Sequence, residues 1–215
     1  MQIAVLLGAP GSGKGTQAKR LTDVGFKHYS TGDMLRAAIK AGTQLGEKAR
    51  AFMDKGELVP DPIMIDLIAD TFSKLPTDSR ILLDGFPRTV PQAEALDANP
   101  TTQVGLALNF DLPESLLVER LTGRRTCQEC GATYHIKFIP PKVSGVCDRC
   151  GSKALMQRSD DTEEVVRRRL SVFNKQNAGL LDYYRKKSVL VTVRADQPPA
   201  AIQTELLKKL ESWSK

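Results

Sequence analysis

The chain has 215 residues, 41% apolar and 26% charged, with a formal net charge of +6. Such a length buries a full core and fits one domain with insertions or two small domains, so the chain reads as soluble and globular. The positive charge suits a nucleic-acid binder, but the basic residues are scattered and no run of five or six like charges occurs, so a bound polyanionic small molecule accounts for it equally well.

The opening MQIAVLLGAPG holds an apolar run of five residues with no basic leader. It predicts neither a signal peptide nor a membrane span, and hence a cytoplasmic chain. Ile3 to Leu7 reads as a buried strand, followed by GAPGSGKGT and a helix from Lys14 to Val24 that puts Ala18, Leu21 and Val24 on one side and stops at Gly25. Further strands are expected at Lys27 to Tyr29, Arg80 to Leu83, Val104 to Phe110 and Val189 to Val193. Pro113 opens a helix carrying Leu116, Leu117 and Leu121. From Glu163 to Lys187, Val166, Leu170, Phe173, Leu180 and Tyr184 fall at helical spacing, with acids first and bases last, as the helix dipole favours. This alternation predicts an α/β fold with a parallel sheet covered by helices.

GAPGSGKGT lies where a phosphate-binding loop belongs, between a strand and a helix. Gly8, Gly11, Gly13 and Gly15 let the backbone approach an anion, and Lys14 would lie beside the outer phosphates. Gly15, however, stands where the general pattern has Ser or Thr, with Thr16 one place late, and in the standard loop that hydroxyl binds Mg²⁺. Two later stretches have double readings. In YSTGDMLRAA, Ser30, Thr31 and Asp33 read as helix caps or as ligands alongside Arg36. In ILLDGFPRTVPQAEAL, Asp84 ends a strand and either caps the next turn or faces the crevice at the strand ends, where it could hold a metal's water shell.

Residues 126 to 157 fit neither helix nor strand pattern and read as an inserted small domain. Cys127, Cys130, Cys147 and Cys150 follow C-x2-C-x16-C-x2-C, which brings four thiolates to one tetrahedral Zn²⁺. Four sulfurs leave no open position, so the metal would be structural, and zinc-module binding energies of roughly 10 to 16 kcal/mol suffice to fold so short a segment.

GAPGSGKGTQ, STGDMLR, LLDGFPRT with Gln92, GRR at 123 to 125, and RSDD at 158 to 161 followed by Arg169 together resemble the adenylate kinases, in the long form with a zinc-bearing lid. The similarity runs in order along essentially the whole chain, and that family normally reads GKGT, so Gly15 becomes a family marker. The resemblance implies a P-loop three-layer fold with a five-stranded parallel sheet. It implies a core of residues 1–29, 60–122 and 162–215, an AMP-binding domain at 30–59 and a lid at 123–161. It implies that Gly11, Ser12, Gly13, Lys14, Gly15, Thr16, Arg120 and Arg124 bind ATP, with Thr133, with Tyr134 near the base or ribose, and with Gln197 at the adenine, although ARADQPPA departs from the commoner glycine-bearing version. AMP would be held by Thr31, Arg36, Gly85, Phe86, Pro87, Arg88 and Gln92, by Glu57, Leu58 and Val59, and by Arg158 and Arg169. The catalytic set implied is Lys14, Asp84, Arg88, Arg124, Arg158 and Arg169. Cofactors would be Mg²⁺ with ATP and structural Zn²⁺, with ATP, AMP and ADP as partners, neither nucleic acid nor membrane, and a monomeric state.

The chemistry stands apart from the resemblance. An AMP phosphate is already ionised at neutral pH and needs no general base, so neither His28 nor His135 is required. In-line transfer needs alignment and neutralised charge, and a cover that excludes water. Asp160 and Asp161 either lock arginines when that cover closes or solvate its hinge. Two rivals are a zinc-ribbon nucleic-acid-binding ATPase, for which Tyr134 and Phe138 make a sparse stacking platform, and a kinase for another nucleoside monophosphate.

Overall fold

The computed structural model describes residues 1–213. Its frame is a parallel sheet built from β1 (Gln2–Leu7), β2 (Lys27–Ser30), β3 (Arg80–Asp84), β4 (Val104–Asp111) and β8 (Leu190–Arg194), in the order β2-β3-β1-β4-β8. Each strand lies within a residue of the segment expected from sequence. The inner runs are nearly continuous because both faces are covered: Ile3, Val5 and Leu7 of β1 enter one core and Ala4 and Leu6 the other. The edge strands β2 and β8, expected to be buried as well, are mostly half-buried or exposed because each has a neighbour on one side only. The core of Ala4 and Leu6 contains α1 (Lys14–Leu21), α6 (Glu114–Thr122) and α8 (Pro199–Trp213); that of Ile3, Val5 and Leu7 contains α2 (Thr31–Lys40), α4 (Asp61–Ser73) and α5 (Val90–Asp97). The long α7 (Glu163–Lys186) serves both, giving Val166 and Leu170 to one and Leu180 and Tyr184 to the other.

Register aligns the site. Leu6 and Ser30 both pair with Asp84, so β1, β2 and β3 end level and their loops open on one crevice. Among the described residues no helix is long and apolar enough to cross a membrane.

A second, antiparallel sheet interrupts the chain between α6 and α7. It consists of β5 (Arg124–Cys127), β6 (Thr133–His135) and β7 (Leu155–Met156), in the order β6-β5-β7. The other excursion is α2 with α3 (Gln44–Met53), joined by Thr43, whose hydroxyl caps α3 by accepting from Gly46 N at 3.1 Å.

Some expectations are corrected. α1 stops at Leu21 and tightens into a 3-10 turn at Thr22–Val24, which rotates Val24 off the buried face to 43% exposure. Leu116 is 36% exposed and turned to the crevice, leaving Leu117 and Leu121 to anchor α6. Phe173 is likewise only half-buried and lines the crevice.

Candidate active site

The loop after β1 turns on glycines at positive φ, and Gly13, at +94°, is the N-cap of α1 with no side chain covering the helix amides. Those free N–H groups and the helix dipole face the crevice. Lys14 folds back over the loop, its Nζ donating to Gly8 O at 2.7 Å, Ala9 O at 2.9 Å and Ser12 Oγ at 3.3 Å. Burial lowers its pKa to about 8 against the attraction of Asp84, and Arg88, Arg169 and Arg124 repel it further. A Cβ on Gly15 would stand 3.6 Å from Asp84 Oδ2, so the missing side chain leaves space between the loop and that carboxylate.

Asp84 does not cap the following turn. It faces His28, whose Nε2 lies 3.6 Å away and has no hydrogen-bond partner among the described residues. Burial opposes its ionisation, but His28 and then Lys14 outweigh burial and hold the carboxyl below the usual range. Beside it Thr31 Oγ1 donates to Asp84 O at 3.3 Å, while Ser30 caps α2 by accepting from Asp33 N at 3.3 Å. Arg88 Nε donates to Gly85 O at 2.8 Å, and Gln92 Oε1 accepts from Arg88 N at 2.7 Å. Asp61 completes this corner, accepting from Gln92 Nε2 at 2.7 Å and from Thr89 Oγ1 at 2.8 Å. Sequence reasoning missed Asp61.

The two acids before α7 lock arginines. Asp161, wholly buried, takes Arg124 through both oxygens at 2.6 and 2.7 Å and Arg169 at 3.1 Å. Asp160 lies 3.0 Å from Arg169 and 3.9 Å from Arg36. Arg158 donates to Thr126 Oγ1 at 3.0 Å and lies 3.7 Å from Asp33. Burial and then Arg169 push Arg88 down to about 10, and burial and then Arg124 do the same to Arg158. Both guanidiniums stay charged at neutral pH, so the crevice holds more positive charge than its own acids balance, a setting for polyanions.

At the other end of the crevice, Arg120 donates to Ala195 O at 3.4 Å near Gln197, Pro199 and Ile202, with Leu116, Phe138 and Ile139 opposite. Thr133 is exposed there, whereas the Tyr134 hydroxyl turns inward, 3.4 Å from Cys147 Sγ and accepting from Asp148 N at 2.7 Å. His135 fastens the hairpin to α6. Its Nδ1 accepts from the Lys137 and Phe138 amides at 3.0 and 3.1 Å, which leaves Nε2 to donate to Glu119 O at 3.1 Å. The imidazole occupies the notch left by Gly123, where any Cβ would collide with it.

Every nucleotide-site residue expected from sequence lines this single cleft of about 860 Å³ except Phe86, which is 1% exposed and points into the core between the cleft residues Gly85 and Pro87. The ligand atoms of Cys127, Cys130, Cys147 and Cys150 lie within 4.8 Å of one another at the tips of two knuckles. The Tyr134 hydroxyl pulls the Cys147 thiol down to about 6. Cys150 is pushed up to about 12: the Ser152 N–H opposes the rise, but the sulfurs of Cys130, Cys127 and Cys147 outweigh it. Four thiols this close cannot all ionise without a cation, and an all-sulfur tetrahedral set fits structural Zn²⁺.

A family profile described as adenylate kinase matches residues 6–189, spanning the phosphate loop, the arginines and the cysteine knuckles. The chain belongs to the adenylate kinase family. It is 49% identical over 211 residues to the adenylate kinase of Lachnospira eligens, covering 96% of this chain and 98% of that one. It is 50% identical over 213 residues to that of Desulfitobacterium hafniense, covering 97% of each, and 53% identical over 194 residues to that of Carboxydothermus hydrogenoformans, covering 88% and 90%. The parallel sheet with its strand-to-helix phosphate loop is the P-loop fold of the adenylate kinases.

Proposed function

We propose that this cleft moves the terminal phosphoryl group of ATP onto AMP, in line and with no covalent intermediate, giving two ADP. The observation that carries this reading is the convergence of Lys14, Arg36, Arg88, Arg124, Arg158 and Arg169 on one cleft of about 860 Å³. ATP takes the phosphate-loop end, with its phosphates on the loop from Gly11 to Thr16 and on Lys14, and its base near Arg120, Thr133, Tyr134 and Gln197. AMP takes the other end, among Thr31, Arg36, the backbone of Glu57 to Val59, Gly85, Arg88 and Gln92.

The acceptor phosphate oxygen is already anionic, so the chain supplies position and charge. Arg88 and Arg36 hold the acceptor phosphate; Lys14 and Arg124 hold the donor; Arg158 and Arg169 reach the groups between them. Asp84, charged although half-buried, and Thr16, exposed at the start of α1, are the oxygen donors that suit Mg²⁺ held with ATP. Mg²⁺ neutralises charge on the transferring phosphates. Residues 123–161 act as a lid that excludes water, a reading supported by Asp160 lying 3.0 Å from Arg169 and 3.9 Å from Arg36, and residues 30–59 clamp AMP. The chain works as a cytoplasmic monomer with neither nucleic acid nor membrane as partner; the gathering of all four cysteines into one metal-type cluster supports that compartment.

Neither rival is favoured, because the family match spans phosphate loop and knuckles together and the lid's Thr133 and Phe138 face the nucleotide cleft. A coupled assay with ATP and each nucleoside monophosphate tests the reading. AMP turns over best; preference for UMP or CMP overturns it.

A further inference from the structure

We propose that Asp61 determines which bases the acceptor end takes, by fixing the orientation of the Gln92 carboxamide; this rests on the reading of Gln92 as the residue facing the monophosphate base. Asp61 opens α4, far from Gln92 in the chain, yet its Oδ1 accepts from Gln92 Nε2 at 2.7 Å. The opposite end of the amide, Oε1, accepts from the Arg88 N–H at 2.7 Å. A carboxylate only accepts and a backbone N–H only donates, so the partners allow one orientation. A flip would set oxygen against carboxylate and N–H against N–H. The carboxylate is itself held, because Thr89, the N-cap of α5, donates its hydroxyl proton to Asp61 Oδ2 at 2.8 Å. Gln92 is 2% exposed, so little water can replace either partner.

An amide has two N–H donors and two acceptor lone pairs. One of each is taken, which leaves one donor and one acceptor in fixed order for a base edge. Adenine and cytosine present an amino donor beside a ring acceptor; guanine and uracil present a carbonyl acceptor beside a ring N–H. A carboxamide free to flip suits both orders. A pinned one separates amino bases from keto bases, and the dimensions of the site must then separate AMP from CMP.

The test is steady-state kinetics of the wild type, Asp61→Leu and Asp61→Asn with ATP and AMP, CMP, GMP or UMP. Asp61→Leu raises the KM for AMP about tenfold, the scale of a lost hydrogen bond to a charged group, and leaves the KM for ATP unchanged. Its preference for AMP over GMP and UMP in kcat/KM falls by about tenfold or more, while its preference over CMP falls less. Asp61→Asn, whose carbonyl still accepts from Gln92, retains the preference. If Asp61→Leu does not fold, Asp61→Ala removes the same acceptor with a smaller side chain and carries the same expectation. The proposal is overturned if removing the acceptor leaves the base preference intact, if Asp61→Asn loses it equally, or if the KM values for ATP and AMP rise together as a general structural defect predicts. A wild type that does not use AMP defeats the underlying reading; a wild type that uses AMP beside a Leu variant with unchanged preference defeats this proposal alone.

Discussion

Lys19 Nζ, on α1, donates to the Gly131 carbonyl in the first cysteine knuckle at 2.8 Å. The helix that begins at the phosphate loop therefore also holds the cysteine-bearing segment, which we propose covers the ATP end. Lys19→Met keeps the aliphatic stem and removes this bond. With about 1 kcal/mol at stake, the KM for ATP rises roughly threefold to tenfold in a steady-state assay. The KM for AMP at saturating ATP stays put, because the bond lies at the other end of the cleft.

ATP affinity follows the protonation of Lys14. Its pKa is depressed to about 8 in the unliganded chain, and a bound phosphate favours the charged amine. Binding is thus independent of Lys14 protonation below pH 8 and takes up a proton above it. ATP affinity measured by calorimetry falls as pH rises past 8, with heats that depend on the buffer's ionisation enthalpy. In Lys14→Met this fall disappears, and kcat/KM drops on the order of 10² to 10⁵-fold.

Removing Asp161 strands Arg124, which is only 17% exposed and loses both of its carboxylate bonds. Breaking a buried pair from one side costs about 3 to 5 kcal/mol. Asp161→Ala accordingly lowers the unfolding free energy in urea by that amount, and the KM for ATP rises because Arg124 loses its anchor and the segment before α7 loses its bond to Arg169. A variant with the wild-type midpoint would count against the arginine lock.

Metal removal separates the two sheets. Metal analysis of protein purified without added metal gives about one Zn²⁺ per chain. A strong chelator together with a thiol reagent melts β5, β6 and β7 first, since Cys127 and Cys147 dominate their small core, while the parallel sheet persists. Hydrogen exchange read by mass spectrometry shows protection lost at 124–156 and retained in β1, β3 and β4.

The parallel sheet is legible in the sequence because strands buried on both faces have little choice but to be apolar. Ile3 to Leu7 and Arg80 to Leu83 announce themselves. Val24 misleads for a local reason: it keeps the helical period past the point where the backbone tightens before Gly25. Phe86 shares a motif with Gly85 and Arg88, yet its bulk goes into the core. The nucleotide cleft is legible through short motifs whose residues touch locally. Asp61 is not, because beside Pro62 it looks like an ordinary acidic start to a helix, and its bonds to Thr89 and Gln92 cross to another element. His28 shows the same limit: only the pairing of β2 with β3 puts it against Asp84.

The cleft draws its cations from α1, α2, the loop after β3, β5, the turn before α7 and α7 itself. Isolated stretches of the chain hold one or two of them, so no single stretch balances a triphosphate. Contacts between segments so distant in sequence close late when a chain folds. Catalytic turnover consequently times the final docking of cover on core during refolding, and regain of activity lags behind the return of secondary structure in a stopped-flow experiment. In a cell, a nascent chain arrested before α7 would already have its phosphate loop but would lack Arg169, β8 and α8, and would still be silent.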